Sequence, residues 1–196
     1  MKKFQGKYRI PSARALWWDY LEGSYFITIC THNRLQRFGL IQDKKMFLSP
    51  IGEIAEQCWV DIPNHCPYVQ LGEYKIMPNH IHGIIDILPV DTIPIVQTLP
   101  VETLHATSLQ TPQQQMGRIS PKRGSLGRVL GSYKSAVSNK AHEIDGAFDW
   151  QERFHDHIIR DADEYHRIRE YIMHNPENWE KDCFNIKREN STDTDS

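Results

Sequence analysis

The sequence predicts an α+β domain of the ferredoxin-like kind, a βαββαβ unit with antiparallel strands and one helix added at its C-terminal end. Three observations predict it. Runs rich in β-branched and aromatic residues at 24–32, 69–88 and 148–161 read as strands. Stretches with apolar residues at helical spacing, 49–65 and 125–142, fall between them. A third such stretch, 161–175, follows the last strand.

In "SYFITICTH" (24–32), Tyr25, Ile27 and Ile29 alternate against Phe26 and Thr28, the period of a strand with one face buried. "SPIGEIAEQCWVDIPNH" (49–65) begins with Ser49 as N-cap and Pro50 at the first helical position; Ile51, Ile54, Ala55, Cys58 and Trp59 then recur at helical spacing. "VQLGEYKIMPNHIHGIIDIL" (69–88) reads as two strands around Pro78-Asn79. Residues 89–116 are rich in Pro, Thr and Gln without a sustained period and are expected to form an insertion or mobile loop. Between Ser125 and His142 a helix is predicted, with Leu126, Val129, Leu130, Tyr133 and Val137 on its buried side. A turn and a short strand follow in "FDWQERFHDHIIRD" (148–161). The last helix has Asp161 as N-cap with Glu164 three residues on, a buried stripe of Tyr165, Ile168 and Ile172, and an end or bend set by Pro176. One domain over 1–182 is expected, followed by a disordered acidic tail over 183–196.

At 196 residues, with 39% hydrophobic and 24% charged residues, the chain is long enough to bury a core and has an ordinary soluble composition. No apolar run approaches the roughly 18 residues of a membrane span, so no membrane partner is expected. The lysine-led N-terminus lacks the apolar segment of a signal peptide. Four cysteines without CxxC pairing read as reduced thiols in a cytoplasmic protein. The net charge of −2 hides an uneven distribution. Residues 117–140 carry Arg118, Lys122, Arg123, Arg128, Lys134 and Lys140 and no acid, and the first 18 residues add Lys2, Lys3, Lys7, Arg9 and Arg14, also without an acid. Such local basic surface suits a phosphate backbone, although a solvated helix face would look the same.

Two histidines stand out. His80 and His82 are i and i+2 on a predicted strand, so both project from one face and can converge on one metal ion; the same spacing also occurs in satisfied cores. Asp86 shares that face and is a candidate to orient an imidazole. On the last helix, Tyr171 and Asn175 are i and i+4 and lie one turn apart. They read either as a functional pair or as an amphipathic tyrosine beside a helix cap. A second His-x-His, His155 and His157, lies on the last strand.

"MPNHIHGII", "WQERFHDHIIRD" and "EYIMHNPENW", with "GSYFITICTHNR", "IGEIAEQCWVDIP", "HCPYVQLGEY" and "LGRVLGSYKSAVS" in the same order, resemble the REP-associated tyrosine transposases. These belong to the single-tyrosine, His-hydrophobic-His (HUH) transposase superfamily of bacterial insertion sequences. The resemblance spans roughly residues 8–182 apart from the insertion. It implies the fold just derived and an activity on single-stranded DNA. It also implies that His80 and His82 are metal ligands, Asn175 a third ligand and Tyr171 the nucleophile. Tyr133 in "GSYKS" is the rival, but Val137 stands where a polar i+4 ligand would be needed.

Two neutral imidazoles and an amide favour a weakly held Mg²⁺ or Mn²⁺. The implied intermediate is a 5′-phosphotyrosine and the implied partner a single-stranded or hairpin DNA. Arg9 and Arg14 are expected near the hairpin flank, and Arg123, Arg128 and Lys134 on phosphates. Trp17 and Trp18 are either base platforms or core. His155 and His157 would support the site or touch DNA. Relatives act as homodimers or monomers, and either is expected here. A catalytically silent hairpin-binding protein and an unrelated metal hydrolase are the alternative readings.

Overall fold

The computed structural model describes residues 21–89 and 124–185, together with the backbone of 3–4 and 7–8, which pair as a short antiparallel bridge. In chain order the elements are β1 (Gly23–Cys30), the hairpin β2 (Gly39–Gln42) and β3 (Lys45–Leu48), and α1 (Pro50–Val60). There follow β4 (Val69–Ile76), β5 (His80–Ile87), α2 (Leu126–Ala141), β6 (His155–Ile159) and α3 (Ala162–Met173). A 3₁₀ segment, Pro176–Lys181, closes the fold. Four strands make one antiparallel sheet in the order β4-β5-β1-β6. With β2 and β3 set aside as a separate hairpin, this is the predicted ferredoxin-like arrangement.

Alternation along the strands gives the two faces of the sheet different tasks. Tyr25, Ile27, Ile29, Ile81 and Ile85 are fully buried in the core beneath α1 and α2. Gly83 belongs to this face because nothing larger fits: a Cβ there would lie 2.4 Å from the Trp59 ring. Tyr133 packs edge-on against Trp59 and donates its hydroxyl to the Ala55 carbonyl at 2.9 Å. The opposite face carries a smaller cluster in which Ile168 and Ile172 of α3 meet Phe26, Ile84 and Ile159. Ile172 is fully buried, worth about 2–3 kcal/mol in apolar area, and this contact holds α3 across β4 and β5.

Several predicted boundaries hold. The Ser49 hydroxyl accepts from Gly52 N, and the Asp161 carboxylate accepts from Glu164 N at 2.8 Å. The Glu164 carboxylate, however, accepts from Arg160 N, one residue before the cap. Three features differ from expectation. The hairpin at 39–48 turns at Asp43 and Lys44, both at positive φ (49° and 62°), the conformation that Asn-Gly usually signals. The helix expected over 49–65 breaks after Val60 into a separate turn, Ile62–His65, because Pro63 has no N–H to continue the ladder. The tail expected from residue 183 starts with residues that pack on the sheet: Phe184 lies against His80 and His82. The proposed insertion, apart from residue 89, lies outside the described residues, as do Arg9, Arg14, Trp17, Trp18 and Arg123. Among the described residues no helix is long and apolar enough to cross a membrane.

Candidate active site

The site lies between the sheet and α3, at the N-terminal end of β5. His80 and His82 project there together, ring centroids 4.4 Å apart and edge to face. Both are essentially buried, His80 at 0% exposure. Each ring is fixed by a hydrogen bond on its Nδ1 side. For His82 the partner is Thr28 Oγ1, at 2.9 Å, from the residue directly opposite on β1. For His80 it is Asn79 Oδ1, also at 2.9 Å.

The Asn79 amide is oriented in turn, since its Nδ2 donates to the carbonyls of Arg34 (3.0 Å) and Phe184 (2.8 Å). Its Oδ1 can only accept, so His80 carries its proton on Nδ1 and presents a bare lone pair at Nε2. That Nε2 is buried without a hydrogen-bond partner. Burial pushes His80 well below the ordinary imidazole value, helped by the neighbouring His82 and Arg34. Burial likewise pushes His82 down to about 3, against a weaker opposing bond to the Ile27 backbone. Both rings are therefore neutral imidazoles rather than cations.

Three further groups converge on these nitrogens. Tyr171, 47% exposed, places its hydroxyl 3.4 Å from His82 Nε2. Asn175, one turn later, is buried with its Oδ1 lacking any partner. Asp182, just beyond the 3₁₀ segment, has a side chain only 4% exposed and sets Oδ2 4.0 Å from His80 Nε2, while Phe184 N donates to its Oδ1 at 2.7 Å. Ligand atoms of His80, His82 and Asp182 all lie within 4.8 Å of one another.

Two buried, orphaned donor atoms beside a carboxylate and a second imidazole are what a divalent ion would satisfy; left alone, each costs about 1–3 kcal/mol. The residues present thus fit a metal ion. The donor set differs from the expected one: Asp182 adds a negative charge that two imidazoles and an amide lack. Burial raises the Tyr171 pKa, Asp182 raises it further, and the Asn175 contact works weakly the other way.

The remaining candidates separate. Asp86 shares the face but lies four residues along β5 from His82, roughly 13 Å at strand rise. It pairs with Ser24 and Gln70, and Thr28 and Asn79 orient the imidazoles instead. His155 stands opposite Thr28, next in line after His82, and is exposed. His157 is tied to Glu164 at 2.8 Å. Lys134 Nζ donates to the Gln151 carbonyl at 2.7 Å, and burial lowers its pKa. Arg128 is exposed on the first turn of α2, on the far side of the sheet. Tyr133 is locked in the core by its bond to Ala55, which removes the rival nucleophile. Sequence reasoning missed Asp182, Thr28, Asn79 and Phe184. Only Asn79, inside "MPNHIH", carried a local signal.

No family profile matches the chain. A protein of Haemophilus influenzae described only as uncharacterized is 40% identical over 165 residues, covering 82% of this chain and 84% of its own. A solved structure of a REP-associated tyrosine transposase bound to a REP hairpin superposes with a TM-score of 0.54 at 16% identity, covering 87% of this chain and 74% of the other. The chain belongs to one family with the Haemophilus influenzae protein, and its fold is that of the REP-associated tyrosine transposases.

Proposed function

We propose that the protein is a metal-dependent single-strand DNA endonuclease and strand transferase that acts on hairpin DNA through a 5′-phosphotyrosine intermediate. The observation that carries the reading is the convergence of the Tyr171 hydroxyl on a buried histidine pair with unsatisfied donor atoms beside it. The hairpin as substrate is supported by the REP hairpin held by the transposase that shares this fold.

His80, His82, Asp182 and Asn175 would hold the ion. The two imidazole nitrogens suit Mn²⁺ better than Mg²⁺, which takes oxygen almost alone. Bound there, the ion supplies positive charge to polarise the scissile phosphate and stabilise its transition state.

The chain's own residues do the rest. Phe26 and the His82 ring flank the Tyr171 ring, with centroids 6.1 and 5.4 Å away, and so direct the hydroxyl into the site. The hydroxyl sits at a long 3.4 Å from His82 Nε2, a weak contact that is lost at little cost when that lone pair is needed elsewhere. A phenol raised in pKa is a poor nucleophile at neutral pH, so neighbouring positive charge is required for attack. Attack forms the Tyr171 oxygen–phosphorus bond and breaks the bond from phosphorus to the 3′ oxygen. Tyr171 gives up one proton and the departing 3′ oxygen gains one. The phosphotyrosine keeps the bond energy, so a second 3′-hydroxyl can reverse the step without ATP.

The test is a denaturing gel of protein mixed with labelled single-stranded hairpins from the flanks of its own gene, with Mn²⁺ or with chelator. The proposal predicts a covalent adduct that disappears with chelator and in Tyr171→Phe. Binding without any adduct, in both Mn²⁺ and Mg²⁺, would replace it with a silent hairpin-binding module.

A further inference from the structure

Beside the metal-ligating centre a cleft of about 500 Å³ opens between two loops, lined by His32, Asn33, Arg34, Gln151 and Glu152. Its volume lies within the range of sites that take a small ligand. Both walls are fixed. Asn33 and Arg34 are held at φ of 50° and 53°, a conformation L residues rarely adopt, and the Arg34 carbonyl is anchored by the same Asn79 amide that orients His80. Across the cleft, Gln151 N donates to the Cys30 carbonyl at 2.9 Å, and Lys134 Nζ donates to the Gln151 carbonyl. Lys134 therefore helps to set one wall.

Arg34 stands where cleft and centre meet. Its guanidinium lies 4.8 Å from the centroid of the Phe184 ring, whose other neighbour is His80, and donates to the Cys183 carbonyl at 3.1 Å. Among the described residues it has no carboxylate partner. A guanidinium with spare donors binds phosphate oxygens strongly by donating to them. Glu152 is the opposite case: its charge repels phosphate, and an ionised carboxylate can only accept hydrogen bonds, from N–H or O–H groups. The two ends of the cleft thus suit the two ends of one nucleotide.

We propose that this cleft is a nucleotide subsite of the strand being processed: Arg34 holds the phosphodiester next to the scissile one, and Glu152, with Asn33 and Gln151, reads an unpaired base that carries an exocyclic amino group. The proposal rests on the nuclease reading above. His32, exposed at the rim, offers a face for stacking the base. Adenine, cytosine and guanine give the carboxylate an exocyclic amino donor, whereas thymine offers only its ring N3–H, set between two carbonyl oxygens that repel a carboxylate. Cleavage is therefore selective at one flanking position of the hairpin, against thymine.

The experiment uses a hairpin oligonucleotide library with a randomised single-stranded flank. Full-length protein cleaves it in Mn²⁺, and both fragments are sequenced. Wild type disfavours thymine about tenfold at one position beside the cut, and Glu152→Gln, whose amide can pair with thymine carbonyls, loses that preference. A preference that is absent, or unchanged in Glu152→Gln, overturns the base reader.

Anisotropy with the same flanks on the Tyr171→Phe protein tests the phosphate contact without cleavage. Adding Arg34→Gln lowers the slope of log affinity against log salt by about 0.7, the value for one single-strand phosphate. An unchanged slope overturns the Arg34 assignment. If the wild type forms no adduct, the nuclease reading fails, and the anisotropy arm still decides the subsite.

Discussion

The chain contains His-x-His twice, on the two strands that flank β1 in one sheet, and the two copies meet different surroundings. His80 and His82 sit on β5 beneath α3, buried and neutral, with their Nδ1 atoms tied to Asn79 and Thr28 and their Nε2 atoms directed into a space lined by Asn175 and Asp182. His155 and His157 sit on the edge strand β6. One is exposed, and the other is bound to Glu164, whose carboxylate also caps the backbone at Arg160. Spacing brings two imidazoles to one face in either case. What separates a ligand pair from a surface pair is burial and a partner that fixes the proton on the far nitrogen. On the edge strand neither imidazole is buried, and the carboxylate that holds His157 occupies its Nε2.

The sharpest way to break this comparison is to remove the groups that only the first pair recruits. Tyr171→Phe should abolish covalent adduct, a loss of at least about a thousandfold, read on a denaturing gel, whereas His155→Ala should retain most of it. Asn79→Ala leaves every ligand in place but frees the His80 tautomer. It should weaken Mn²⁺ binding by about 10- to 100-fold in a calorimetric titration, and Thr28→Val should act in the same direction through His82. Gly83→Ala tests the packing behind the pair. Its new methyl meets the Trp59 ring, so urea melts should show about 1–3 kcal/mol of destabilisation.

Acid offers a gentler probe. His82 is held near 3 when folded, below its unfolded value. The unfolded chain then binds the extra proton between about pH 6.5 and pH 3. This contribution is complete above pH 6.5 and is lost as pH falls through the window, so in metal-free protein the melting temperature drops across it. A His82→Asn variant should show a shallower drop; an identical slope would remove His82 from the account. Smallest of all, His157→Ala breaks a solvent-facing pair with Glu164 and should change stability by less than about 1 kcal/mol in the same melts.

How much of this was legible in the sequence follows from where each signal lives. Tyr171 with Asn175, and His80 with His82, are local patterns, i and i+4 on a helix and i and i+2 on a strand, so alternation alone placed each pair on one face. Thr28 could not be assigned that way, because its contact with His82 depends on the register between β1 and β5. Asp182 and Phe184 follow Pro176 in a stretch without periodicity, the first at the expected end of the domain and the second in the expected tail. The structure instead folds them back onto His80. The hairpin at 39–48 escaped because Asp43-Lys44 replaces the glycine-bearing turn that usually marks one. The charge of Lys134 was visible, but its carbonyl partner lies on a distant loop.

The central claim is that one His-x-His pair holds an ion and the other does not. Mn²⁺ titrated into the protein and followed by electron paramagnetic resonance tests it directly, with wild type beside a His80→Ala/His82→Ala variant and a His155→Ala/His157→Ala variant. The account predicts a single bound ion in wild type and in the His155/His157 variant, and no binding above background in the His80/His82 variant. Binding that survives loss of His80 and His82, or that disappears with His155 and His157, would contradict it.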